Sequence, residues 1–565
     1  MGVPSSAIVS VWPGGAGAAG DQADCGLGCP PPVEVQRVRV GQCDSLRGCL
    51  PGRHGLLSGR DAAGLESPDG EVVDQVALSE AAEHFGGLCR VSAGKLSEQL
   101  SQVLAAWHGD YHQHSYNEFT ERKWCEKRKK LSGKTELSSS MSSVREALTG
   151  MAERRLTAVA GTRLAEEPVL VLNGPRTVGK STLLSQLAGR LGRPVIDCDD
   201  PATRAAVRND PGRFVDSGQP VLIDEYQHVP ELLNAIKAQL NRDLRPGRYV
   251  LAGSTRYATL PEAGQALTGR VDILPVLPLS QGEIGQVHET FVERLLDGAG
   301  VEMDTAPSLT SRDEYAHRAT SGGMPVALRR PPGRSRSRWF SNYVSLVIDK
   351  DLLDITRIRQ REMLPRLLEQ LAARSAQVLN MAAVSATIGL EKSTTENYTK
   401  LLEAVFLIQR LPAWGTTLGS RVTRHPKVHL LDSGVMAWLL NLTPQKIAQA
   451  APATLSEYGH LLETFAVGEI LKQASWSDAP VIAGHFRTEA GDEVDLVLER
   501  DDGQVIGFEI KAGSRIGPED LRGIHHLKER LGDRLEDAVV FYTGEHAYTH
   551  SGWISVLPLD RLWTA

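Results

Sequence analysis

Residues 168–182 read Pro168-Val169-Leu170-Val171-Leu172-Asn173-Gly174-Pro175-Arg176-Thr177-Val178-Gly179-Lys180-Ser181-Thr182. The opening apolar run is the pattern of a strand covered on both faces of a parallel sheet. Helical spacing begins at Thr182, so the glycine-bearing turn lies between a strand and a helix. Gly174 and Gly179 permit backbone angles that turn successive N–H groups inward onto anionic oxygens. The N-terminus of the following helix adds favourable partial charge. The spacing G-x-x-x-x-G-K-S in this context is that of a phosphate cradle.

Candidate nucleotide-binding residues are therefore Gly174, Pro175, Arg176, Thr177, Val178, Gly179, Lys180, Ser181 and Thr182. Lys180 is expected to reach the β and γ phosphates, and the Ser181 hydroxyl to ligate Mg²⁺. Working outward, further apolar runs stand at 194–197, 221–224, 249–252 and 271–274. Helical segments separate the first four of the five runs, which implies an α/β doubly wound parallel sheet. The third run ends in Asp224-Glu225, where Asp224 is expected to hold Mg²⁺ through water and Glu225 to polarise an attacking water. The next ends in Gly253-Ser254-Thr255, which places Ser254 to sense the γ phosphate. Arg270 is a candidate to supply charge to the transition state, in its own subunit or a neighbour's.

The chain has 565 residues with a formal charge of −7, 41% hydrophobic and 23% charged residues. That length suggests about three or four domains, and the composition is that of a globular protein with more than one core. No apolar run is long enough to span a membrane. The acidic balance argues against coating nucleic acid or membrane by bulk charge. Cys25, Cys29, Cys43, Cys49, Cys89 and Cys125 lie early, and only Cys198 follows. A cysteine-poor body implies a reducing, cytoplasmic setting. The early cysteines form no Cys-x-x-Cys pair, so no metal is expected on them.

Residues 1–140 differ from the rest. Tracts such as Pro13-Gly14-Gly15 and Pro30-Pro31-Pro32 carry no sustained period, which predicts a segment without a packed core. Within it, 96–107 has the spacing of a short amphipathic helix, and Lys127-Arg128-Lys129-Lys130 reads as a solvated linker. Met1-Gly2 with Ser6 fits the loose N-myristoylation pattern, but the motif is short and Pro4 inside it argues against that reading; no secretory signal is expected. Met141 is a candidate alternative start.

Gly-Pro-Arg-x-x-Gly-Lys-Ser, Leu222-Ile223-Asp224-Glu225, Ala252-Gly253-Ser254, Leu267-Thr268-Gly269-Arg270 and Leu277-Pro278-Leu279-Ser280 occur in this order. The chain from Val144 onward resembles the AAA-type ATP-binding proteins of bacteria and archaea that carry a C-terminal domain of unknown function. The resemblance implies an ATPase using ATP and Mg²⁺, followed by a nuclease-like tail.

Between 364 and 411 the order is helix, helix, break at Gly389-Leu390, helix from Ser393, then the strand-like 407–411. That is helix-turn-helix order with a wing. Its second helix offers Lys392, Thr394, Thr395, Asn397 and Lys400 to DNA. Arg329, Arg330, Arg334, Arg336 and Arg338 form a more basic run. Further on, Lys427-Val428-His429-Leu430-Leu431-Asp432 resembles the start of the family's C-terminal domain. Two alternating segments, 493–498 and 509–511, flank Asp502-Gly503, a favourable tight turn. Glu509 and Lys511, two apart, share one strand face. Asp495 and Glu509, with Glu463 from a helix, are candidate ligands for a second divalent cation, and Lys511 a candidate to activate water. The order D-x(13)-E-x-K is similar to the PD-(D/E)xK nuclease core. Trp414, Trp438 and Trp476 read as core or interface anchors, and His112, His114, His460, His525 and His526 as ordinary imidazoles.

These readings divide the chain into 1–140, unmatched; 141–290, an AAA-type P-loop domain; 291–420, a helical and winged-helix region; and 421–565, a nuclease-like α/β domain. The expected activity is Mg²⁺-dependent ATP hydrolysis that repositions the later regions, with DNA as candidate partner, a homo-oligomer as candidate assembly, and no membrane. Two other readings stay open: a metal-dependent DNA nuclease regulated by ATP, and a non-hydrolysing nucleotide switch that binds a protein partner.

Overall fold

The computed structural model describes residues 154–216, 219–254, 256, 267–352, 360–417, 425–478 and 480–564. The 1–140 segment, its six cysteines, the 96–107 helix, the 127–130 cluster, Met141 and Thr255 lie outside the described residues.

The five apolar runs become β1 (Val169–Asn173), β2 (Val195–Asp197), β3 (Val221–Asp224), β4 (Tyr249–Gly253) and β5 (Val271–Pro275). They form one sheet in the order β2-β3-β4-β1-β5, with every pair parallel. Side chains on a strand alternate between faces, and each face here has its own core. Val169, Val171, Val221, Ile223, Tyr249 and Leu251 pack with Leu232, Leu233 and Ile236 of the helix Glu231–Leu240. Leu170, Leu172, Leu222, Val250 and Ala252 pack instead with Leu156 and Leu183, Leu184 and Leu187 of the helices Leu156–Glu166 and Lys180–Leu191. Covering on both faces is why these strands read as continuous apolar runs. Parallel pairing brings all the carboxyl ends to one edge.

Beyond it the helix Met363–Ala372 leads to β6 (Gln377–Val378), the helices Met381–Ile388 and Lys392–Ala404, β7 (Ile408–Leu411) and β8 (Lys427–Leu430). Gly389 at φ 74° ends the helix Met381–Ile388. These strands pair antiparallel in the order β6-β8-β7. Lys427–Leu430, expected to begin the C-terminal region, instead completes this sheet, because its partners for hydrogen bonding are β6 and β7.

The helix Pro452–Ala474 precedes a third sheet made of β9 (Ile482–Arg487), β10 (Glu493–Glu499), β11 (Val505–Lys511), β12 (Leu535–Tyr542), β13 (Tyr548–His550) and β14 (Ile554–Pro558). Its order is β13-β14-β12-β11-β10-β9, with β10 and β11 an antiparallel hairpin that turns at Gly503 (φ 82°). One apolar core runs from Phe291 and Tyr315 through Leu364, Leu402 and Leu461 to Phe508 and Trp563. The helical region and one face of this third sheet thus share an interior.

Candidate functional site

The loop after β1 is shaped for close approach. A side chain at Gly174 would put its Cβ 2.1 Å from the Val276 carbonyl oxygen, and Gly179 holds φ at 101°, so both positions require glycine. Lys180 opens the following helix and is buried. Its ammonium donates to the carbonyl oxygens of Gly174 at 3.0 Å and Pro175 at 2.7 Å. Burial lowers its pKa to about 8, although Glu225 and Asp224 pull the other way. A buried cation on neutral acceptors is undercompensated, which suits an incoming phosphate.

Asp224 and Ser254 reach the same place, because β1, β3 and β4 are neighbours in register: Asp224 pairs with Ala252, and Asn173 with Gly253. The Ser181 side chain hydrogen-bonds the Asp224 carboxylate, whose pKa burial raises. Glu225 adopts the left-handed conformation at φ 49°. Its Oε2 accepts from Ser254 Oγ at 3.2 Å and from Gln227 Nε2, which also donates to Ser254 Oγ at 3.1 Å. Gln227 had no role in the sequence reading; its place two residues beyond the acidic pair was the available signal. Asn173 Oδ1 and Gln227 Oε1 are buried without a hydrogen-bond partner. The glycine-lined cradle, the inward ammonium and the Ser181–Asp224 pair fit a nucleotide with Mg²⁺.

Arg270 does not join this site. It precedes β5, whose first residue Val271 pairs with Val169 at the start of β1, and the loop lies beyond the other end of β1. The Arg270 guanidinium donates to Asn241 Oδ1 at 2.7 Å. Parallel strands place only their carboxyl ends at the ligand, and Arg270 stands at the opposite edge.

Three arginines tie the nucleotide site to its surroundings. Arg154 is buried and reaches Glu283 at 2.8 Å, the Val178 carbonyl at 2.9 Å and the Leu277 carbonyl at 2.9 Å. Glu283 belongs to a capping box with Ser280, the end of the Leu-Pro-Leu-Ser segment. From the loop itself, Arg176 Nε donates to Asp351 Oδ2 at 2.6 Å, beside the helix Arg334–Leu346. Two residues after Ser254, the Arg256 N–H donates to Ala404 O at 3.0 Å and its Nε to Glu403 O at 2.8 Å, with the guanidinium 5.0 Å over the Phe406 ring. None of the three was a single-residue signal, since each partner lies far along the chain.

The other predicted residues also converge. Glu463, Asp495, Glu509 and Lys511 are neighbours, but a fifth residue stands among them. Lys427 Nζ contacts Glu463 Oε1 at 2.7 Å, Asp495 Oδ1 at 2.9 Å and Glu493 Oε1 at 3.7 Å. Lys511 pairs with Glu509 Oε1 at 2.7 Å and Asp520 Oδ1 at 3.7 Å. Burial opposes the Lys427 charge, but Asp495, Glu463 and Glu493 together push its pKa well up. Burial also opposes the Asp495 charge, yet Lys427 brings its pKa below the usual value. Glu509 is pushed up to about 8 by burial and by Asp495. Burial, then Lys427, pulls His429 down to about 3. Among the described residues no group of three His, Cys, Asp or Glu side chains is arranged to hold a metal ion. The expected ligand set of Glu463, Asp495 and Glu509 is therefore corrected: an ammonium stands between two of its members.

In the helix Lys392–Ala404, Lys392, Asn397 and Lys400 are exposed, whereas Thr395 is buried with its hydroxyl on the Glu391 carbonyl at 2.9 Å. Trp414 is buried and donates to Glu499 at 2.8 Å. No helix among the described residues is long and apolar enough to cross a membrane.

Comparison with known proteins assigns one of these regions. Residues 166–285 match the AAA domain family, while 312–446 and 458–562 each match a domain of unknown function, DUF8612 and DUF4143. The first stretch, with its parallel sheet and phosphate loop, is similar to the AAA domains of P-loop ATPases. Uncharacterized proteins Rv2008c of Mycobacterium tuberculosis and Mb2031c of Mycobacterium bovis are each 26% identical over 405 residues, covering 71% of this chain and 82% of theirs. Among solved structures, the Walker-type ATPase PABY2304 of Pyrococcus abyssi aligns with a TM-score of 0.33 at 16% identity, over 51% of this chain and 96% of its own. The Thermotoga maritima RuvB branch migration motor aligns at 0.24 and 17% identity, over 46% of this chain and 90% of its own.

Proposed function

We propose that the chain binds ATP with Mg²⁺ at 174–182, hydrolyses it, and passes the nucleotide state to the region beyond residue 290. The observation that carries this reading is the meeting of Lys180, Ser181, Asp224, Glu225 and Ser254 at the carboxyl ends of three adjacent parallel strands. Backbone N–H groups of the loop and the Lys180 ammonium take the β and γ phosphates. Ser181 and Asp224 hold the Mg²⁺, which when bound neutralises charge on the phosphate oxygens. Glu225 orients and polarises the attacking water, and Ser254 and Gln227 fix its carboxylate. Arg270, at the far edge of its own sheet, has a charge-supplying role only toward a neighbouring subunit.

The relay runs through Arg176 and Arg256. A phosphate near Arg176 competes with Asp351, and a shift of Ser254 moves Arg256 against the end of the helix Lys392–Ala404. We read 363–430, with sheet order β6-β8-β7, as a winged-helix module. The exposed Lys392, Asn397 and Lys400 on one helix favour duplex DNA as its partner; phosphate contacts of this kind predict salt-dependent binding.

Steady-state ATP hydrolysis by the full chain tests the reading, with and without duplex DNA. Lys180→Ala is expected to lose turnover by about a hundredfold or more. Glu225→Gln should retain ATP and lose turnover by at least about a hundredfold. ATP binding without turnover in the unmodified chain would replace hydrolysis with a switch, and turnover indifferent to DNA would point to a protein partner.

A further inference from the structure

Lys427 reaches the carboxylate cluster from outside the hairpin that carries Asp495 and Glu509. It opens β8, in the sheet shared with β6 and β7, while Glu463 comes from the helix Pro452–Ala474 and Asp495 from β10. The side chain is wholly buried, 0% exposed. Its ammonium takes one oxygen from each of the two carboxylates, at 2.7 and 2.9 Å.

A divalent cation bound by carboxylates sits about 2.0–2.6 Å from several oxygens that point at one spot. Here the spot between Glu463 and Asp495 is taken by a nitrogen of the chain itself. The other Asp495 oxygen accepts from the Ile510 N–H at 2.9 Å, and Glu509 Oε1 is held by Lys511. Glu509 Oε2 is buried and has no hydrogen-bond partner, although Glu509 is only 3% exposed. The cluster thus has the oxygens of a cation site and a cation already in it. His429 and His485, also buried nearby, are drawn toward the neutral form by burial and then by the Lys427 charge, so they add no competing cation.

We propose that Lys427 is the resident cation of this cluster: its ammonium stands where the residue pattern calls for a divalent ion. The C-terminal sheet is then held to β8 and to the long helix by an internal ion-pair clasp, and it performs no metal-dependent phosphodiester cleavage. This is independent of the ATPase reading, since it shares no residue with the nucleotide site.

The test is Mn²⁺ uptake by the full chain without nucleotide, followed by the loss of the free-ion electron paramagnetic resonance signal. Any weak uptake at the phosphate loop is common to every variant and cancels. The unmodified chain and Asp495→Asn are expected to take up equal Mn²⁺. Lys427→Ala is expected to take up one further ion per chain, and Lys427→Ala/Asp495→Asn to lose it again. If Lys427→Ala folds only when Mn²⁺ is present, as read by circular dichroism, the ion has replaced the ammonium and the proposal stands. Uptake by the unmodified chain that Asp495→Asn lacks would overturn it, as would metal-dependent DNA cleavage abolished by Asp495→Asn. A folded Lys427→Ala that gains no Mn²⁺ would overturn it too. Should Lys427→Ala fail to fold in any condition, the comparison of the unmodified chain with Asp495→Asn decides alone.

Discussion

Lys180 and Lys427 are both buried lysines in the neighbourhood of two or more carboxylates, yet their surroundings act on them in opposite directions. Lys180 donates to two backbone carbonyls, with Asp224 and Glu225 farther off, and burial wins: its pKa falls to about 8. Lys427 donates directly to Glu463 and Asp495, and the carboxylates win: its pKa rises. A neutral carbonyl satisfies an N–H without cancelling its charge, whereas a carboxylate at hydrogen-bond distance does both. The first lysine is therefore poised for an anion that arrives later; the second is already satisfied. Sequence alone shows neither lysine's carboxylates, which lie tens of residues away, and only the identity of the nearest oxygens separates a ligand site from a clasp.

The largest expected effect falls on the clasp. Lys427→Met should destabilise the fold by about 3–5 kcal/mol, since it leaves buried carboxylates without a counter-charge. Adding Asp495→Asn should restore part of that loss, as read by urea denaturation of the single and double variants. A loss below about 1 kcal/mol for Lys427→Met would erase the distinction between the two lysines.

Next in size is the response of the nucleotide site to pH. Below about 8 Lys180 is already charged and ATP binding needs no proton there. Above it, the phosphates must recover a proton for Lys180, so ATP affinity should fall as pH rises, by up to about tenfold from pH 8 to 9. Calorimetry in buffers of different ionisation enthalpy should show proton uptake on binding at pH 9 and little at pH 7. Equal affinity at both pH values would mean that the carbonyls of Gly174 and Pro175 compensate Lys180 as well as carboxylates do.

The smallest effect concerns Arg176, a loop cation that does have a carboxylate partner. Asp351→Asn should free it for phosphate and tighten ATP binding by about threefold to fivefold, the scale of a partly exposed ion pair. Weaker binding in this variant would make Asp351 a support for the loop and break the relay toward the helix Arg334–Leu346.

The nucleotide site was legible from sequence because each of its parts is local. Strand, glycine turn, Lys180 and Ser181 lie within 14 residues of one another from Val169 to Thr182, and Asp224 and Ser254 each end an apolar run whose burial shows in its composition. Alternation in 493–498 and 509–511 around Asp502-Gly503 likewise marked the β10–β11 hairpin. Gln227 stayed hidden because it lies beyond the end of β3, in the short 3-10 helix Tyr226–His228 that follows Glu225, whose geometry no residue type announces. That Arg270 stands away from its own chain's site was hidden for a related reason: its nearness to an apolar run was visible, but not which end of the sheet that run would present.

What the sequence by itself determined is therefore the phosphate loop, the acidic pair after β3 and the parallel sheet that holds them, since short-range backbone geometry and apolar patterning suffice for these. Tertiary structure alone decided that Lys427 on β8 would meet Glu463 and Asp495, 36 and 68 residues away. It alone also decided that one apolar core would join Phe291 and Tyr315 to Phe508 and Trp563. Such meetings depend on how whole sheets and helices pack, and an ammonium buried in one strand carries no mark in its own neighbourhood of the distant carboxylates that keep it charged.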